Sequence, residues 1–136
     1  MLHGNVSGYL SQIQANRGEI KRYQDLCESL TQFKGDVSDT QEQIMYAISA
    51  KKRLMTELDS YSAECKSAKV YSVGMNTTLD SFGETCANTV FSNLISAIEA
   101  KLSEYRDEIN ALEAQNSSLH SRIYSLQHQE QVLLDK

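Results

Sequence analysis

Between residues 95 and 133 the seam positions recur at alternating steps of three and four: Ile95, Ile98, Leu102, Tyr105, Ile109, Leu112, Asn116, Leu119, Ile123, Leu126, Glu130 and Leu133. A helix brings residues so spaced to one side; a strand does not. Ile or Leu holds most a positions of this heptad, and Leu or Tyr most d positions. The run covers 39 residues, a helix about 59 Å long at 1.5 Å rise per residue. That length does not suit a compact globule. It suits a coiled coil or a long hairpin.

The first half repeats the theme less cleanly. Ile13, Ile20, Tyr23, Cys27, Leu30, Val37, Ile44, Ile48, Met55, Leu58 and Cys65 fall on one seam, and Asn16, Lys34, Gln41, Lys51 and Ser62 interrupt it. The chain has no proline and few glycines, so obligatory helix breakers are scarce. Gly35 sits mid-pattern beside Asp36, Ser38 and Asp39, weak helix formers that predict a kink but not a reversal. The repeat stops in VYSVGMNTTLDSFG, residues 70–83, and then restarts. The expected fold is therefore all-α: one domain, a long antiparallel hairpin with helix one over about 5–70, a turn over about 71–78 and helix two over about 79–134. In the turn, Gly74 would end helix one in a left-handed conformation and Asn76 or Thr77 would cap helix two. Folding about residue 77 would bring Asn116 near residue 38, where a polar seam residue opposite polar partners fixes register. A solvent-facing Asn116 in an imperfect repeat is the alternative.

Charge is spread unevenly. Residues 1–70 hold nine Lys/Arg and nine Asp/Glu, whereas residues 71–136 hold four and nine, so the second half carries the whole net charge of −5. A nucleic-acid binder should show a basic face. The only basic run is Lys51-Lys52-Arg53, which reads as a solvated helix face. Cys27, Cys65 and Cys86 are odd in number and widely spaced. They read as small core residues in a reducing compartment rather than a disulfide or metal framework. No basic segment followed by an apolar run opens the sequence, so a classical secretory signal is not expected. No stretch nears the roughly 20 apolar residues of a membrane span.

Enzyme chemistry is not expected either. His3, His120 and His128 lack the spacing and the Cys/Asp neighbours of a metal site and read as surface residues. Gly74 and Gly83 do not form a phosphate loop. No histidine accompanies Cys65 or Cys86 in a nucleophile motif. Glu104 and Glu108 lie one turn apart without the Glu-x-x-His of a di-metal bundle and read as a solvated face. No cofactor is implied.

Two helices alone make a meagre core for a chain of this size. Leu10, Leu54, Val90, Leu94 and Met45 lie off the seam, and further helices from a partner or a second copy would complete a bundle. Residues 70–83 then have two readings. One is a plain connector. The other is an apolar tip of Tyr71, Val73, Met75, Leu79 and Phe82 around Gly74, docking a partner together with Leu54, Val90 and Leu94.

A long helix, a small-x-Gly turn at Ser72-Val73-Gly74 with Tyr71 beside it, the downstream Leu79-Asp80-Ser81-Phe82 and a second long helix resemble the YwqH-like small helical proteins of Gram-positive bacteria. These are similar to the WXG-type (Esx-like) substrates of type VII secretion. The resemblance covers the whole chain in architecture. It implies that the protein binds the helical N-terminal domain of an LXG-type toxin, with or without a second small helical protein, and aids its export. The chain would be cytoplasmic before export and would leave with its client, if it leaves, by a route independent of a signal peptide. The family's turn tryptophan is missing, and no Tyr or Phe has an acid four residues later, so the export signal would come from a partner. Two alternatives stay open: a homo-oligomeric coiled-coil scaffold, and a cytosolic secretion chaperone or antitoxin.

Overall fold

A computed structural model describes residues 2–135, with side chains from Asn5 onward; the side chain of His3 lies outside the described ones. Helix α1 spans Leu2–Asp59 and α2 spans Lys66–Phe82. A π-helical segment follows over Gly83–Val90, and α3 spans Phe91–Leu134. The last three join end to end into one helix of 69 residues. There is no strand among the described residues. The fold is the all-α helical hairpin that the periodicity predicts, but it reverses in a different place.

The reversal lies at residues 60–65, not 71–78. Here α1 ends on tightened turns: the Tyr61 and Ser62 N–H groups donate to the Leu58 and Asp59 carbonyls at 3.0 Å, and Cys65 N–H donates to Tyr61 at 2.9 Å. Ser60 donates its hydroxyl to the Glu57 carbonyl, the local competition by which serine disfavours helix interiors. Cys65 is the extended residue from which α2 starts, without a side-chain cap. Across the bend the hydroxyl of Ser72, a residue only 1% exposed, donates to Asp59 Oδ1 at 3.1 Å. Gly74 and Asn76 therefore lie inside α2. No glycine has positive φ, and Thr77 and Thr78 return their hydroxyls to the Val73 and Gly74 carbonyls at 3.0 Å. Neither Asn76 nor Thr77 caps a helix; the Asn76 amide oxygen is buried without a hydrogen-bond partner. Weak helix formers do not stop a helix whose apolar side is covered. The same holds at Gly35, which α1 passes through unbroken.

The chain divides into two compact units. In the first, residues up to 31 pair with residues from 100 onward. Ile13, Leu119 and Ile123 are its buried centre, with Val6 and Tyr9 against them. The Tyr23 and Tyr105 rings meet at 5.5 Å between centroids. Asn16 and Asn116, both buried, share a hydrogen bond of 2.8 Å; Asn16 also donates to Gln115 at 2.8 Å and accepts from Gln12 at 2.9 Å. Asn116 thus meets Asn16 rather than a residue near 38, the displacement that moving the bend requires. Residue numbers on the two segments run in opposite senses through these contacts, so the helices are antiparallel.

The second unit is residues 32–99. Val37, Ile48, Ala68, Leu79, Ala87 and Ile98 are buried in it. Between Leu79 and Ile95 the inward residues are Leu79, Gly83, Ala87, Phe91 and Ile95, four successive steps of four. Steps of four outrun the 3.6 residues of an α turn and would carry the seam round the helix. A wider turn absorbs the surplus, and here it does: the Phe91 N–H donates to the Cys86 carbonyl, five residues back. Such a switch of ladder strands a carbonyl. Gln41 donates its side-chain amide to the next carbonyl, Ala87. Gly83 faces Ile48, whose Cδ1 lies 3.4 Å from where a Cβ would stand.

A candidate interaction surface

In the second unit each helix has two flanks beside the seam, and they differ in chemistry. On one flank Lys34 pairs with Glu99 at 3.0 Å and Lys52 pairs with Asp80. Between these pairs lies an open cleft of about 540 Å³, with Met45, Ser49 and Lys52 on one wall and Asp80, Glu84 and Asn88 on the other. These are half-exposed ion pairs in high dielectric, worth about 0–1 kcal/mol each.

The other flank is apolar. On α1 it is read in steps of seven: Phe33, Thr40, Ala47, Leu54 and then Tyr61 in the bend, each one residue before a seam position. Antiparallel pairing sets it beside the matching flank of the facing helix, which carries Tyr71, Thr78, Phe82, Val90 and Leu94. None of these positions is charged. Phe33, Leu54, Tyr61, Tyr71, Phe82, Val90 and Leu94 are between 38% and 59% exposed. Gly83, one α turn beyond Leu79 and bonded to its carbonyl, takes the inward place and leaves Phe82 on the flank. The outer edge of the facing helix is small: Ser67, Gly74 and Ser81, seven residues apart and all exposed. A Cβ on Gly74 would meet nothing within 4 Å. A mid-helix glycine costs about 1 kcal/mol relative to alanine, and no contact within the chain requires it.

Of the docking residues expected from sequence, Tyr71, Phe82, Leu54, Val90 and Leu94 belong to this strip. Leu79 does not: it is 7% exposed and forms part of the core. Met75 is half-buried, and Val73 is exposed but falls on the opposite side of α2. These residues lie along a helix rather than at a tip, because the reversal is elsewhere. Phe33 and Tyr61 escaped the sequence reading; their signal is a spacing from Leu54 in multiples of seven. The seam residues Ile98, Leu102, Asn116, Leu119 and Ile123 are buried, and Ile95, Tyr105, Ile109, Leu112 and Leu126 are half-buried, whereas Leu133 is exposed. Of the cysteines, Cys27 and Cys86 are half-buried, but Cys65 is exposed in the bend and is not a core residue.

Titration is shifted in two exposed pairs, each on a single helix of the first unit. The Arg22 guanidinium, bonded to Glu19 at 2.9 Å, holds that carboxyl below its ordinary value and is itself raised. Glu104 raises Lys101 in the same way. No cluster of three or more metal-ligating side chains occurs among the described residues. No described helix is long and apolar enough to cross a membrane. Comparison of the chain with protein-family models, with curated proteins and with solved structures finds no match.

Proposed function

We propose that this chain is a small helical adaptor that binds the helical N-terminal domain of an LXG-type toxin and promotes its export by type VII secretion. The observation that carries the reading is the uncharged apolar flank of the second unit. Two paired helices leave half of each large apolar side chain on that flank in water, and exposed patches of this kind mark protein–protein contacts. A client helix laid along the groove would complete a three- or four-helix layer. The client class comes from the resemblance to the YwqH-like proteins. In this reading the chain acts in the cytoplasm before export, and the client or a second small helical protein supplies the missing export signal.

The test is co-expression with the LXG-type helical domain of the same genome, followed by the mass of the purified material. A discrete mixed complex that Leu94→Asp weakens, while the isolated variant keeps its helical circular dichroism, supports the reading. Normal binding by Leu94→Asp excludes this flank, and the absence of any complex with the wild-type chain excludes the client.

A further inference from the structure

We infer that a second copy of this chain covers the apolar flank when no client is bound, giving a two-fold dimer in which each α1 packs against the facing helix of the other copy. The inference goes beyond the adaptor reading and does not depend on it.

The first argument is area. A compact monomer of 15.3 kDa exposes about 7,100 Å² by surface-to-mass scaling, whereas this chain exposes 9710 Å². Homodimers remove about 1,000–2,500 Å² from each copy, a quantity within the surplus. The second argument is that the flank is complementary to itself. Its α1 side is raised at Leu54. Its other side carries Tyr71 and Phe82 but is low between them, at Gly74, Thr78 and Ser81, with open space at Gly74. An isologous contact needs one patch holding both halves of a fit, and this patch holds them.

A two-fold axis parallel to the helices keeps every residue at its own height and sets α1 antiparallel to the partner helix. Height follows from the cross-helix pairs Lys52–Asp80 and Asp59–Ser72: Leu54 stands level with Thr78. Leu54 of one copy therefore enters the low stretch around Thr78 of the other, and the reverse contact repeats it. Charge permits this. The acidic outer edge of α1, at Asp36 and Glu57, meets a partner edge made of Ser67, Gly74, Ser81 and Asn93, none of them acidic.

The experiment is the mass of the full chain by sedimentation equilibrium at tens of micromolar. Twice 15.3 kDa is expected; a monomer or a larger assembly overturns the inference. Leu54→Lys and Thr78→Glu should each weaken the dimer about tenfold or more, which corresponds to a charge left unpaired in an apolar contact. Mixing the two variants should restore the double mass, because one of the two symmetric contacts becomes Lys–Glu and the other stays wild type. Failure of the mixture to dimerise overturns the face-to-face arrangement. Met45→Lys, on the opposite flank, should leave the dimer unchanged; its loss would show that the wrong flank was chosen. If Leu54→Lys unfolds, Thr78→Glu decides alone, since Thr78 is exposed and a change there does not touch the core.

Discussion

Each unit of the hairpin places side-chain amides in its seam, and those of the two units solve different problems. In the first unit the steps of three and four continue without a break, the helix stays α-helical, and Asn16 meets Asn116 side chain to side chain. In the second unit the steps of four accumulate, the backbone widens into a π segment, and Gln41 bonds the carbonyl of Ala87. A regular repeat needs a polar layer only to say which residues face each other. An irregular repeat needs one to mend the backbone. Most of the large apolar residues exposed outside the seam lie in the irregular unit, although Leu10 and Tyr124 are exposed in the regular one.

The largest expected effect comes from the regular unit. Ile123→Ala removes a buried side chain from the cluster with Ile13 and Leu119 and should cost about 2–5 kcal/mol in chemical denaturation. Phe82→Ala, about half exposed, should cost far less. Equal losses would erase the distinction between seam and flank.

Next in size is the polar layer. Asn116→Leu alone removes one of the three side-chain hydrogen bonds of buried Asn16, leaving those with Gln12 and Gln115, and sets a leucine against that amide; it should cost about 1–3 kcal/mol. The double change Asn16→Leu with Asn116→Leu should recover that loss or exceed the wild type. It should also loosen the register, seen as more than one species by cross-linking or mass. A double variant as singular as the wild type would show that the layer does not set the alignment.

Gln41→Ala is expected to cost about 1–2 kcal/mol, from the carbonyl it leaves unpaired. Its signature is local: amide exchange should quicken over residues 83–91 and not over 102–123. A uniform change along the chain would mean that Gln41 does not support the π segment.

The smallest effect is electrostatic. Arg22 depresses the Glu19 carboxyl below its ordinary value. The stability this pair contributes is therefore present above the ordinary carboxylate value and is lost as pH falls through the lowered one. Arg22→Gln should move the Glu19 titration, followed by NMR, back upward, with a barely measurable change in stability because both groups are in water.

Helical class, hairpin topology and most of the seam were legible from spacing alone, because burial of a stripe leaves its period in the residues. The bend was not. Gly74 and Asn76 carry the local marks of a break, while Asp59-Ser60-Tyr61-Ser62, where the chain turns, holds neither glycine nor proline. Tertiary cover overrides a local preference of about 1 kcal/mol. A better guide was available in the seam: Asn16 and Asn116 are both polar at inward positions, and pairing them sets the fold near residue 66 rather than 77. The flank was half legible. Leu54, Val90 and Leu94 stand out as apolar residues off the seam, but placing Phe82 beside them requires a glycine, Gly83, to take the inward place, which no apolar pattern announces.

The cross-helix pairs also carry a consequence for how the chain reaches this state. Asp59 and Ser72 are 13 residues apart, Lys52 and Asp80 28, Gln41 and Ala87 46, and Asn16 and Asn116 100. Closing a loop costs entropy that grows with the logarithm of its length, so only the first closure is expensive if the pairs form in that order; each later one extends a loop already closed. Assembly should run as a zipper from residues 60–65, with local contacts and a correspondingly fast rate. The asparagine pair then closes late, and it acts as a check: an arm displaced at any earlier step arrives with one amide facing leucine.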